Sequence, residues 1–297
     1  MGVLKQIAAE FNYRRGRRRR DAGRLSRATK QDRYAFRAAL ELSRMGDPGP
    51  VLDLLMVALA SLRDSGDTAP VTPGVHAFLD HVLNHLHATH SQSFQDLAAH
   101  FVSGGKRNGT FVEVGTGNGR TLSNTYFLER EAGWTGVLFE PDRRFHESIA
   151  ETRSARLDRR AAFRESGRSL DFLEVGRSGE LSTFDANRNS DGRRRTGNVR
   201  PVQTVALSEA FDEHGLPAEI DYVSIDTEGS ELDVLQGIDF TRHQIRFLTV
   251  EHNFVVPHRT AIVSLLEGHG YRTIFPSLSG QDVWMVHGDT AGVATWR

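Results

Sequence analysis

A chain of 297 residues with a formal net charge of −1 and no cysteine is long enough for one large domain, or for one domain with an appendage. The missing thiols exclude disulfides, thiolate zinc sites, iron–sulfur clusters and cysteine nucleophiles together. No apolar run approaches the ~20 residues that cross a bilayer, and the amino terminus lacks the long hydrophobic core of a secretory signal, so a soluble, cytoplasmic protein is expected.

The near-neutral total hides an asymmetry. Residues 1 to 30 carry ten Lys or Arg against two acids, which leaves a net −9 on the remainder. The basic part centres on Arg14, Arg15, Arg17, Arg18, Arg19 and Arg20, after a stretch in which Leu4, Ile7 and Phe11 share one helical face. One short basic segment gives little lasting anchorage, so a solvated tail without stable membrane insertion is expected. Myristoylation is not expected, because Gln6 stands where a Ser or Thr is required after Gly2. Helical spacing follows in Tyr34, Ala38 and Leu42 and in Leu52, Leu55, Met56 and Leu59, separated by the breaker Gly46-Asp-Pro-Gly-Pro50. After a second breaker, Asp67-Thr-Ala-Pro-Val-Thr-Pro-Gly74, a helix should run to about His90 and a short one from Phe94 to Val102. His81 and His85 have metal-ligand spacing, but no acidic partner has a matching pattern, and they read as a polar helix face. Residues 1–90 are thus expected to be a basic tail with a helical appendage, and 91–297 the main domain.

From Gly109 the pattern turns to short β-rich runs alternating with helical stretches, the signature of a parallel sheet covered by helices. Strands are predicted at 111–115, 136–140, 160–164, 221–226, 246–251, 271–275 and 282–287. The last two have no helix between them and should pair antiparallel through the turn Pro276-Ser-Leu-Ser-Gly280. Seven mostly parallel strands closing on such a hairpin form the Rossmann-like layout of class I methyltransferases rather than a dinucleotide domain. Between the third and fourth, residues 171–205 read as a long loop, Arg-rich from 188 to 200, of the kind that is functional or disordered.

In such a sheet ligands lie beyond the carboxyl ends of the strands. There the first strand places Glu113, Gly115, Thr116, Gly117 and Gly119, whose glycines permit a tight turn against a ligand, with amide donors at the following helix. The second strand ends in Phe139-Glu140-Pro141, a carboxylate about twenty residues past the turn, where it can accept both hydroxyls of a ribose. NAD and S-adenosylmethionine both fit. Glu113 suits the cationic ammonium of a methionine moiety and would repel a pyrophosphate, which favours S-adenosylmethionine. Ser123, Asn124 and Arg153 are candidates for the methionine carboxylate, although Ser123 and Asn124 can equally cap a helix.

Phe111-Val-Glu-Val-Gly115, Ser123-Asn-Thr-Tyr-Phe-Leu-Glu129, Gly133-Trp-Thr-Gly-Val-Leu-Phe-Glu-Pro141, Asp221-Tyr-Val-Ser-Ile-Asp-Thr-Glu-Gly-Ser-Glu231, Val250-Glu-His-Asn253 and Gly270-Tyr271 together resemble the FkbM family of methyltransferases over roughly residues 91–288. Glu113 stands for the commoner Asp and Thr116 for Ala. The resemblance implies S-adenosylmethionine-dependent O-methylation of sugars or natural products.

Methyl transfer from a sulfonium requires the acceptor hydroxyl to be held in line and deprotonated, by a general base or by a cation that lowers its pKa. Lys106 is the last lysine, so the candidates are carboxylates and a histidine. Asp226, Glu228 and His252 are the catalytic candidates, while Glu231 reads as a helix cap. Asp226, Glu251 and Asn253 could instead hold Mg2+, an arrangement that resembles catechol-type O-methyltransferases. A small hydroxyl acceptor, a saccharide above all, is the expected partner, with a homo-oligomer open. Nucleic acid is not expected, because the acidic domain lacks a basic aromatic stripe. A nucleic-acid methyltransferase, suggested by the basic amino terminus, a non-catalytic interaction module of the same fold and an NAD oxidoreductase are the remaining alternatives.

Overall fold

The computed structural model describes residues 72–176, 181–187, 195–276, 278–290 and 296. The basic segment around Arg14–Arg20, the helices expected within 31–64 and most of the 188–200 run lie outside them. Chain contacts separate two compact units, residues 1–72 with 79–89 and residues 73–78 with 90–297.

Helix α1 (Pro73–His85), followed in the chain by α2 (Gln95–Val102), starts on a proline, whose fixed φ and missing N–H suit a first helical position. Within the first unit His81 and His85 stack one turn apart with ring centroids at 4.4 Å, and Nδ1 of His85 bonds the carbonyl of His81 at 2.9 Å.

The second unit is built on a seven-stranded sheet of β1 (Thr110–Val114), β2 (Thr135–Phe139), β3 (Arg156–Asp158), β8 (Glu219–Ile225), β9 (Gln244–Glu251), β10 (Tyr271–Thr273) and β11 (Asp282–His287). Its order is β10-β11-β9-β8-β1-β2-β3. The neighbours from β3 to β9 are parallel, while β11 runs antiparallel to both β9 and β10, as the terminal hairpin required. This is the expected Rossmann-like methyltransferase layout. Val112, Val114, Val223, Ile225, Leu248 and Val250 alternate onto one face, where they pack with Leu207 and Phe211 of α5 (Leu207–Glu213), Leu235 of α6 (Glu231–Gln236) and Ile262 and Leu266 of α7 (Val256–Gly268). Each such side chain contributes roughly 1.5–3 kcal/mol by burial. The other face is aromatic: Tyr222 stacks on Phe247 at 5.5 Å and Phe78 on Phe275 at 5.0 Å. Along it the strands turn polar toward their carboxyl ends, at Glu113, Ser224 and Thr249.

Two expectations need correction. The third strand of the main sheet is β3 at 156–158, not 160–164, because Asp158 accepts the amide of Arg160 at 2.9 Å and turns the chain. The run beyond it, β4 (Ala161–Phe163), joins a second sheet of order β4-β7-β5-β6. The supposed loop 171–205 supplies the rest, as β5 (Ser169–Val175), β6 (Thr183–Phe184) and β7 (Gly197–Ala206). Pro201 is tolerated inside β7 because there the strand pairs with β5, while pairing with β4 starts at Thr204.

Candidate active site

The topological switch point, where sheets of this kind take their ligands, lies where β1 separates β2 from β8, since the chain leaves β1 toward one edge of the sheet and later returns to build the other. Around it stand the carboxyl ends of β1, β2, β8 and β9. The turn after β1 is bolted to both neighbours: the Gly115 amide bonds the Phe139 carbonyl and the Asp226 amide bonds the Val114 carbonyl, each at 3.0 Å. A Cβ on Gly115, whose φ is +86°, would lie 1.8 Å from the carbonyl oxygen of Asp226, so glycine is obligatory. Gly117 faces open space, and its amide donates to Glu140 at 2.7 Å. The helix expected directly after the turn begins only at Tyr126, as the five-residue α3 (Tyr126–Arg130). Irregular chain between 115 and 125 therefore follows β1 at the switch point, and a helix terminus does not.

Glu140 lies just beyond β2, buried, its second oxygen taking the Asp142 amide at 2.8 Å. Burial pushes its carboxyl up to about 8 against those two amide bonds. Next to it, Pro141 offers its carbonyl to Arg200 of β7.

Glu113 and Arg153 are both buried. Glu113 accepts the Asn124 amide at 2.6 Å, the Ser123 hydroxyl at 2.9 Å and the Thr125 hydroxyl at 2.6 Å. Burial raises its pKa, opposed chiefly by the charge of Arg153 at 3.5 Å. The guanidinium of Arg153 also binds Glu129 at 2.7 Å, the Gly119 carbonyl at 3.0 Å and the hydroxyls of Ser123 and Thr125. Ser123 additionally accepts the Tyr126 amide at 3.1 Å. These residues thus knit the turn to the start of α3. Thr116 is buried with its hydroxyl on the Glu113 carbonyl. Asn124 donates its amide group to Ser224 at 2.9 Å, which leaves Oδ1, buried and without a hydrogen-bond partner, as an acceptor.

On the other side of β1 the ends of β8 and β9 bring carboxylate oxygens of Asp226, Glu228 and Glu251 within 4.8 Å of one another. Asn253 donates to Glu251 at 2.5 Å and to Glu228 at 3.4 Å. Burial, then the charge of Glu228, raises Asp226 well above the usual carboxylate range, and burial with the charge of Asp226 does the same to Glu251. Glu228 has φ +58°, a strained conformation for a residue with a side chain. Glu231 caps its own turn, accepting the amides of Thr227 at 3.0 Å and Gly229 at 2.8 Å. His252, next in the chain to Glu251, is buried, Nδ1 accepting the Phe254 amide at 3.0 Å, and burial followed by the charge of Arg259 lowers its pKa.

Three participants escaped the sequence. Arg195, just ahead of β7, is buried and pairs with Glu228 at 2.6 Å, while Thr183 of β6 donates to the Glu228 carbonyl at 3.1 Å. Asp282 stands opposite Glu251 across the antiparallel pair, holds Gln95 at 2.6 Å and is pushed up to about 7 by burial. Arg195 lay in the Arg-rich run; no local signal marks Thr183 or Asp282, because only strand pairing brings them here.

A family model described as "Methyltransferase FkbM domain" matches residues 113–273, more than half the chain. Among solved structures, a crystal structure of precorrin-6y C5,15-methyltransferase from Geobacter metallireducens GS-15 aligns at 9% identity with a TM-score of 0.36, covering 64% of this chain and 85% of that one. No curated protein matches.

Proposed function

The chain belongs to the FkbM methyltransferase family, and from that premise we propose that it uses S-adenosylmethionine to methylate a hydroxyl of a small saccharide or related metabolite. The observation that carries this is the set of acids at strand ends on both sides of β1: Glu140 after β2, accepting the Gly117 amide, and the clustered carboxylates of Asp226, Glu228 and Glu251 after β8 and β9. The first suits a ribose, whose two hydroxyls would donate to Glu140. Near the turn, the unpartnered Asn124 Oδ1 is the acceptor for the donor's ammonium. The carboxylate cluster suits an acceptor hydroxyl.

The donor supplies an electrophilic methyl carbon; the chain aligns the acceptor and takes its proton. As the acceptor oxygen bonds to that carbon, the carbon–sulfur bond breaks, its electrons stay on sulfur, and the hydroxyl proton passes to the Asp226–Glu251 pair. Two carboxyls whose affinity for protons is raised by burial are stronger bases than free ones, provided one of them is ionised. The same three oxygens also fit a hard divalent cation such as Mg2+, which would acidify the hydroxyl directly. His252 would act only as a neighbour of the pair.

Calorimetric titration of S-adenosylhomocysteine tests the reading. Binding should tighten as pH rises toward 8, because ribose hydroxyls favour the ionised Glu140. Glu140→Gln should weaken it about 10–100-fold, as loss of a charged hydrogen bond worth roughly 1.5–3 kcal/mol implies, and should remove the pH dependence. Absence of binding by the unaltered protein, with or without Mg2+, rejects the proposal; acceleration of turnover by Mg2+ selects the metal route over the organic base.

A further inference from the structure

Among the described residues the two most exposed large apolar side chains are Phe254 at 60% and Val256 at 71%. Phe254 sits in the turn directly after Asn253, whose amide holds Glu251 and Glu228, and Val256 is the first residue of α7 just beyond it. The backbone there is strained: Asn253 and Phe254 are consecutive left-handed residues, with φ of +49° and +60°, a conformation Asn tolerates but Phe disfavours. The turn is nevertheless closed, by the Phe254 amide on His252 Nδ1 at 3.0 Å and the Val255 amide on the His252 carbonyl at 2.8 Å. The His252 ring stands edge-on to Phe254 at 6.0 Å. The fold thus spends strain to present an aromatic ring to solvent one residue past Asn253, which bonds Glu251 and Glu228, when burial would have stabilised it.

A cyclic polyol has two chemically different aspects, an apolar C–H face and a hydroxyl edge. An aromatic ring matches the first and carboxylate acceptors match the second. We propose that Phe254, flanked by Val256, is the platform on which the acceptor's pyranose ring lies, its C–H face on the phenyl ring and its hydroxyl edge toward Glu228 and Glu251. This rests on the methyltransferase reading above and assigns the residue that selects a ring-shaped acceptor.

The Phe254→Trp variant of the full chain, loaded with S-adenosylhomocysteine, provides the test, since an exposed indole reports stacking through its emission. Titration with methyl β-D-glucopyranoside and methyl α-D-mannopyranoside should give a saturable emission change with at least one of them, and glycerol, which has hydroxyls but no ring face, should give none. Phe254→Ser should weaken binding of the same glycoside about tenfold by ligand-observed NMR, with S-adenosylhomocysteine affinity unchanged. If S-adenosylhomocysteine binds and neither glycoside alters the emission, the platform is refuted while the cofactor assignment stands. If S-adenosylhomocysteine itself fails to bind, the reading beneath it falls. A shift from dimer to monomer on Phe254→Ser, seen by size-exclusion chromatography, would instead assign the turn to a second copy of the chain and overturn the proposal.

Discussion

Gly115 and Gly117 are two residues apart and both left-handed, with φ of +86° and +57°, yet they answer to different demands. A methyl group at 115 would collide with the Asp226 carbonyl, backbone that cannot yield without breaking the β1–β8 pairing. At 117 nothing lies within 4 Å, so only the conformational penalty remains. Gly117→Ala should therefore cost about 1–2 kcal/mol in urea denaturation, and Gly115→Ala more than about 4 kcal/mol, up to loss of the folded protein. The glycine pattern and Glu140 were legible because strand, turn and carboxylate follow at fixed spacing in one stretch of chain. Glu113 was legible as an acid at the strand's end but not in its partners, because Arg153, which meets it at 3.5 Å, arrives forty residues later from beyond α4 (His146–Thr152).

At the level of elements, the second sheet brings its own residues to the site. Arg195 and Thr183 grip the side chain and the carbonyl of Glu228, Arg200 reaches the Pro141 carbonyl, and Ser182 bonds Asp142 at 3.1 Å. One insertion thereby touches residues on both sides of β1. The Arg195–Glu228 pair is almost wholly buried, with side chains 1% and 10% exposed, so removing one partner strands a charge. Arg195→Ala should destabilise by about 3–5 kcal/mol, and adding Glu228→Gln should recover much of that loss, which a double-mutant cycle in urea would measure. The sequence read this stretch as a loop because Pro201 and the arginines interrupt the usual strand pattern; the pairing of β7 with β5 from 197 to 203 supplied what local preference did not.

For the molecule as a whole, burying acids has a consequence for pH. Glu140 is raised to about 8 and Asp282 to about 7, with Asp226 and Glu251 also raised, all by burial first. In the unfolded chain such groups titrate near 4, so between about pH 4 and 8 the folded state holds protons that the unfolded state has lost. Their contribution is complete below the unfolded pKa and is lost as pH rises through the folded values. Asp142 and Asp158 act oppositely: burial works against their ionised forms, but bonds from Arg144 and Arg160 prevail and lower them, so their contribution is lost only in acid. The ligand-free protein should accordingly melt at falling temperatures from pH 6 to pH 8, Glu140 alone accounting for roughly 5 kcal/mol between its unfolded and folded pKa. Glu140→Gln should flatten that slope in calorimetric melts.

What the chain determined by itself is most of the main sheet, the turn and the acids at strand ends, because hydrophobic period, glycine spacing and the order of motifs are local properties that no distant contact needs to complete. Only the tertiary structure decided what those acids face. It paired Glu251 with Asp282 across antiparallel strands, set Arg195 on Glu228 and spread Arg153 over Glu113 and Glu129. Charges in a low-dielectric interior answer to neighbours a few ångströms away in space, and residues far apart in the chain become such neighbours only once the sheets have formed.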